Sequence, residues 1–169
     1  GGSFDTGIGF AAANGYVYLG NDDDKFYQLN ASNVSIKIAD YTTGGDIDGS
    51  PAVANGFVYI GSNDGYTYQL NASNVSQQIA NYSTGAVNDG VSVTDDYLLV
   101  GGNGAVWQLE ASDISQFVAN YTISGPGTPT IAGGIIYFSS GSTYYQLGTG
   151  EPVTTLNAPD DNYEFGQSL

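Results

Sequence analysis

The chain has 169 residues, 41% of them hydrophobic, and a formal charge of −15 that arises because 17 acidic residues face only two cations, Lys25 and Lys37. Two lysines cannot neutralise a run of phosphates or hold a protein on anionic lipid, which excludes nucleic-acid binding and disfavours membrane attachment. Without Cys or His, disulfides and Ser-His-Asp or Cys-His catalysis are also excluded, and no apolar run is long enough to predict membrane insertion.

Along the chain, one pattern of about 40 residues recurs four times, in the range of propeller blades. The first period, 8–44, has Asn14-Gly15, an aromatic and β-branched run at 16–19, an acidic turn at Asn21-Asp22-Asp23-Asp24, the triplet Tyr27-Gln28-Leu29, the segment NASNVS and an outer run ending at Thr43-Gly44. The second, 45–85, follows it almost residue for residue: Pro51-Ala52-Val53, Asn55-Gly56, the run 57–60, Asn63-Asp64-Gly65, Tyr68-Gln69-Leu70, NASNVS again and an outer run at 78–82. The third, 86–125, keeps Trp107-Gln108-Leu109, and the fourth, 126–159, keeps Tyr145-Gln146-Leu147. Asn-Gly and Asp-Gly pairs between short strand-forming runs are hairpin signals, because such pairs tolerate the positive φ of tight primed turns. The runs 16–19, 57–60, 97–100 and 135–138 are therefore expected to be equivalent central strands, apolar on both faces like sheets held between neighbouring sheets. The expected fold is all-β, a β-propeller of about four four-stranded antiparallel blades, either complete or part of a larger propeller.

The pattern Ser50-Pro51-Ala52-Val53, Gly56, Val58-Tyr59-Ile60-Gly61-Ser62, Asp64-Gly65, Tyr68-Gln69-Leu70-Asn71-Ala72 and Thr84-Gly85 resembles the repeat of the pyrroloquinoline-quinone-like (PQQ-like) β-propellers. Where that family usually carries a docking Trp on the outer strand, this chain has Tyr41, Tyr82 and Tyr121, which the resemblance implies pack between blades. The family also includes cofactor-free scaffolds. A quinone with several carboxylates would need more cationic partners than two lysines in one period, so no cofactor is expected.

Other chemistry rests on carboxylates. A glycosidase-type pair is conceivable among the acidic turns, but turn residues are ordinarily solvated, and the chain is expected not to be an enzyme. Calcium is the one cation worth weighing, with Asp22, Asp23, Asp24, Asp46 and Asp48 as candidate oxygen ligands, although neither segment matches an EF-hand loop. Asn-x-Ser/Thr sequons occur at Asn30, Asn33, Asn71, Asn74, Asn81 and Asn120, and their placement at turns and on outer strands predicts exposed, glycosylated sites. The third period replaces NASNVS with Glu110-Ala111-Ser112-Asp113-Ile114-Ser115, which argues against an obligatory backbone role for those asparagines.

The segment 160–169 aligns with the start of a fifth period, so Tyr163, Phe165 and Leu169 are expected to lie on a strand that closes a ring or exchanges with a neighbouring copy. The chain starts at Gly1-Gly2 without Met, as a processed product would. The functional expectation is an extracellular or cell-surface glycoprotein serving as an adhesion or self-assembling structural module, such as a filament or surface layer. Its partners would be further copies of itself or another surface protein. The alternatives are a protein- or carbohydrate-binding scaffold, the tyrosines being suited to stacking on sugars, and a degenerate quinoprotein dehydrogenase-like enzyme.

Overall fold

The computed structural model describes residues 9–87, 89–132, 135–148 and 154–156. All the regular structure among them is β, in four four-stranded antiparallel sheets, and no helix there is long and apolar enough to cross a membrane. Blade 1 holds β1 (Phe10–Ala13), β2 (Tyr16–Leu19), β3 (Lys25–Asn30) and β4 (Asn33–Thr42). Blade 2 holds β5 (Ala52–Ala54), β6 (Phe57–Gly61), β7 (Tyr66–Asn71) and β8 (Asn74–Ser83). Blade 3 has β9 (Val91–Val93), β10 (Tyr97–Gly102), β11 (Ala105–Glu110) and β12 (Phe117–Thr122), and blade 4 has β13 (Thr130–Ala132), β14 (Ile135–Ser140), β15 (Thr143–Gly148) and β16 (Thr154–Leu156). Within each blade the strands pair in chain order.

Local chemistry accounts for the hairpins. Asn14 and Gly15 have φ of 53° and 81°, and Asn55 and Gly56 have 51° and 81°, so both pairs form the doubly positive turn that matches the twist of a two-residue hairpin. At the next turn Gly65 (φ 94°) of blade 2 is replaced in blade 1 by Asp24 (φ 61°), a residue whose short polar side chain tolerates the left-handed region. The outer strands depart from expectation. In blade 2 the strand starts at Asn74 rather than near Gln78, because bulges beside Leu70 let Asn71 pair with Asn74, and blade 1 repeats this with Asn30 and Asn33. The NASNVS segment is thus a bulged hairpin within the sheet.

The core lies between blades. One cluster joins Tyr18 and Phe26 of blade 1 to Val58, Ile60, Leu70 and Val75 of blade 2; a second joins Tyr59 to Leu98, Val100, Leu109 and Ile114 of blade 3. A third joins Leu99 and Val106 to Ile136 and Phe138 of blade 4. Ile47 and Val87, in the loops entering blades 2 and 3, are fully buried and cap these clusters. They seat directly on Gly20 and Gly61, where an added Cβ would lie 2.4 Å from Ile47 Cγ2 and 2.3 Å from Val87 Cγ1. Burying such a side chain contributes about 1.5–3 kcal/mol. The inner strands pack β1 on β5, β5 on β9 and β9 on β13, so the blades follow one another as an arc. The segment 160–169, with Tyr163, Phe165 and Leu169, lies outside the described residues.

Candidate functional site

The most specific polar chemistry in the chain is spent between blades. Tyr18 and Gln28 are directly opposed on β2 and β3, so their side chains share the face turned toward blade 2. The Tyr18 hydroxyl donates to the Ala72 carbonyl at 2.6 Å, Gln28 Nε2 donates to the same carbonyl at 3.0 Å, and Gln28 Oε1 accepts from the Val75 N–H at 3.2 Å. One blade later the arrangement repeats. Tyr59 and Gln69, again opposed, donate to the Ala111 carbonyl at 2.5 and 3.1 Å, and Gln69 Oε1 accepts from the Ile114 N–H at 3.2 Å. Both glutamines are fully buried. Each Tyr-Gln pair therefore clamps the hairpin of the next blade by its backbone, satisfying groups that would be costly to leave unpaired. Burial raises the Tyr59 pKa to about 12, as expected for a phenol held neutral in an apolar cleft.

Blade 3 keeps Gln108, also buried, but opposes it with Leu99; blade 4 restores the pair as Tyr137 and Gln146. Sequence reasoning used the aromatic-Gln-Leu triplet only to find the repeats. The legible signal was a long amide held at one register position inside otherwise apolar strands.

Tyr41, Tyr82 and Tyr121 are half-buried. Tyr41 reaches into blade 2, its ring 5.5 Å from that of Tyr68 and its hydroxyl donating to Gln78. Tyr82 packs at 5.8 Å from Trp107 of blade 3 and 6.4 Å from Phe117, while Tyr121 lies against the cluster joining blades 3 and 4.

The acidic candidates are distributed among structural roles. Asp23 Oδ2 accepts from the Tyr27 hydroxyl at 2.7 Å, as Asp64 does from Tyr68 at 2.6 Å one blade on. Burial and then this bond raise the Tyr27 pKa to about 12, and the same causes raise that of Tyr68. Asp48 accepts from Asn63 Nδ2 at 2.8 Å, Asp46 accepts through its carbonyl from the Asn63 N–H, and Asp24 forms the left-handed turn. Asp22 also has a partner. Among the described residues no three acidic side chains converge as a metal site, although the buried Oδ1 atoms of Asn21, Asp23 and Asn63 lack a donor. Both cations converge on one carboxylate, with Lys37 Nζ 2.6 Å and Lys25 Nζ 3.9 Å from Asp40. A depression of about 360 Å³ lined by Asp89, Gly101, Gly102, Asn103 and Gly104 carries one carboxylate, whereas glycoside hydrolysis needs two.

The sequon asparagines divide into two sets. Asn33, Asn81 and Asn120 are exposed, but Asn30, Asn71 and Asn74 are half-buried. Four of them also serve the backbone: Asn30 Oδ1 accepts from the Ser32 N–H at 2.8 Å, Asn33 from Ser35 at 3.1 Å, Asn71 from Ser73 at 2.8 Å and Asn74 from Ser76 at 3.2 Å. In blade 3 Asp113 takes over the same bond, accepting from the Ser115 N–H at 3.0 Å, and its carboxyl is held below the usual range by that residue. The position thus does carry a backbone role, contrary to the inference from its substitution, because an aspartate oxygen closes the turn as well as an asparagine oxygen does.

Compared with family models and with curated proteins, the sequence matches none. Its fold is shared with solved structures. BamB from Moraxella catarrhalis superposes with a TM-score of 0.73 at 16% identity, over 88% of this chain and 48% of its own. The computationally designed Ika8 protein superposes with a TM-score of 0.67 at 11% identity, over 83% of this chain and 45% of its own. The chain is a β-propeller by fold, and it spans about half the length of both structures.

Proposed function

We propose that the chain is a non-enzymatic β-propeller module of the cell surface, acting as an assembly or adhesion scaffold through its blade faces. The observation that carries this reading is that its most specific hydrogen bonds, the Tyr-Gln clamps, hold one blade to the next, while among the described residues surfaces equivalent to the buried ones are exposed on blades 1 and 4. Val34 of blade 1 is 57% exposed where Val75 and Ile114 are fully buried, and Tyr144 of blade 4 is 58% exposed where Phe26, Thr67 and Val106 are fully buried. Exposed faces of this kind mark protein contact. The outer-strand sequons at Asn81 and Asn120 support an extracellular, glycosylated setting.

Two measurements test the reading. Peptide mass spectrometry of natively produced protein is expected to find glycan at Asn33, Asn81 and Asn120 before the half-buried Asn30, Asn71 and Asn74. Dye reduction with added quinone is expected to be nil, and turnover above background would overturn the non-enzymatic assignment. A second reading, carbohydrate capture, draws on a cleft of about 240 Å³ lined by Tyr137, Phe138, Tyr144 and Tyr145. Quenching of tyrosine fluorescence by oligosaccharides would favour it.

A further inference from the structure

We infer that the glycans at Asn81 and Asn120 are seated on the protein: the first sugar of each lies on the aliphatic side chain two residues earlier, Ile79 or Val118, and covers the outer seam between its blade and the preceding one. The inference rests on the glycoprotein reading and gives these two glycans a structural role.

The seats are made by β-bulges. In blades 1, 2 and 3 the pairing skips the same residue of the outer strand. Gln28 opposes Ala39 and Leu29 opposes Lys37, which leaves out Ile38. Gln69 with Ala80 and Leu70 with Gln78 leave out Ile79, and Gln108 with Ala119 and Leu109 with Phe117 leave out Val118. A bulged residue is released from the ladder, and its side chain is re-aimed. All three are β-branched aliphatics, and all three are exposed. Left bare, each would forgo the gain of burial at one and the same place in three blades.

The sequons lie on the same face as the seats. Ile79, Asn81 and Ser83 are exposed around half-buried Ala80 and Tyr82, and Val118, Asn120 and Thr122 are exposed around half-buried Ala119 and Tyr121. Alternation thus puts the bulged aliphatic, the acceptor asparagine and the hydroxyl residue of its sequon side by side. Asn81 is opposed to Tyr68 and Asn120 to Trp107, and opposed residues project from one side of the sheet. The ring of Tyr68 is 5.5 Å from that of Tyr41 in blade 1, and the ring of Trp107 is 5.8 Å from that of Tyr82 in blade 2. The shared face is therefore the one turned toward the preceding blade, at its outer margin. A sugar ring attached there presents a C–H face to the β-branched side chain, and both lose apolar surface to water.

Blade 1 shows what stands in when the acceptor is missing. Asp40-Tyr41-Thr42 takes the place of Asn81-Tyr82-Ser83 and Asn120-Tyr121-Thr122, with Asp40 opposed to Tyr27. A carboxylate cannot carry an N-linked glycan, and both cations of the chain are placed on it, Lys37 Nζ at 2.6 Å and Lys25 Nζ at 3.9 Å. Lys37 Nζ also stands 6.0 Å from the centre of the Tyr27 ring. By register, the two lysines correspond to Tyr66 and Gln78 in blade 2 and to Ala105 and Phe117 in blade 3. An ion pair covers the position in blade 1, and blades 2 and 3 leave it to the glycan.

The test uses the 169-residue chain in two forms, one secreted by a host that attaches N-linked glycans and one made without glycosylation. Peptide mass spectrometry establishes occupancy. Thermal unfolding is then compared for the parent, Ile79→Thr, Ser83→Ala and the double variant. Ser83→Ala abolishes the sequon but keeps Asn81, and Ile79→Thr keeps the β-branch of the strand residue. In the glycosylated form each single variant is expected to lower Tm by about 2–4 °C, and the double variant by no more than either alone. In the sugar-free form every variant is expected within about 1 °C of its parent, as for exposed positions. Val118→Thr and Thr122→Ala repeat the cycle in blade 3. No loss in the glycosylated form, additive losses there, or an equal loss from Ile79→Thr in both forms would each overturn the inference and leave the glycoprotein reading standing. A secreted chain with Asn81 and Asn120 both bare would overturn the two together.

Discussion

Replacing Gln69 by Leu tests the clamp at its centre. The substitution keeps roughly the same volume, so little is lost in packing, and the cost falls on hydrogen bonds. Three change. The Ile114 N–H, buried and 3.2 Å from Gln69 Oε1, loses its acceptor, at about 1–3 kcal/mol for an unsatisfied buried donor. The Ala111 carbonyl loses Nε2 at 3.1 Å but keeps the Tyr59 hydroxyl at 2.5 Å, so about 0.5–1 kcal/mol suffices there. The Ser112 carbonyl, 3.3 Å away on an exposed residue, turns to water at little cost. The sum is about 1.5–4 kcal/mol, which for a chain of this size lowers Tm by roughly 3–15 °C. Urea and thermal unfolding at fixed protein concentration measure it. Gln69→Glu adds a signed control: its carboxylate cannot donate to Ala111, burial raises its pKa above the unfolded value, and stability should recover partly as the pH falls and the acid protonates. A Gln69→Leu variant within about 0.5 kcal/mol of the parent would refute the clamp as a structural element.

Tyr82→Ala removes a half-buried ring tilted against Trp107 and stacked on Phe117 and is expected to cost about 2–4 kcal/mol; an unchanged Tm would mean that blade 2 does not dock through it. Tyr59, with its pKa pushed up to about 12, stays protonated in the fold at pH values where the unfolded chain ionises near 10. Its contribution is therefore complete below pH 10 and lost as the pH rises toward 12, on the order of 1–3 kcal/mol; tyrosinate absorbance showing every tyrosine ionised near pH 10 in folded protein would contradict this. Asp113→Asn should leave stability unchanged and Asp113→Ala should lower it, since only the first retains an oxygen for the Ser115 N–H. Chelation by EDTA is expected to leave Tm unchanged, because Asp23 and Asp48 bond to Tyr27 and Asn63; a clear fall in Tm would instead place a cation at the acidic turns.

The blades were legible because short strand-forming runs and turn chemistry are local. Asn14-Gly15 and Asn55-Gly56 demand primed turns wherever they occur, and the runs between them can only be strands. The bulges were not legible. Whether Asn74 pairs with Asn71 or leads an open loop depends on how two strands slip past Leu70, which no single strand encodes. Nor was the clamp, since the partners of Gln28 lie 44 and 47 residues away and are backbone atoms, which leave no mark on residue identity. The turn-closing use of the sequon asparagines was hidden for a different reason. A glycan acceptor and a turn-closing asparagine share one side chain, and only its oxygen contacts show the second use.

The comparison of equivalent positions adds what neither the sequence nor the coordinates give alone. Val34, Val75 and Ile114 are chemically near-identical, so their difference in exposure cannot come from the residue and must come from what stands in front of it. The same logic applies to Tyr144, exposed at a position that is fully buried in three blades despite holding Phe, Thr or Val there. Blade 1 keeps apolar residues on this face, with Val17, Leu29 and Val34 at the positions of Val58, Leu70 and Val75. Ile36→Gln, at an outer-strand position exposed in blades 1, 2 and 3 alike, should leave the unfolding free energy within about 0.5 kcal/mol. A large loss of stability on that change would show that Ile36 is packed within its own blade.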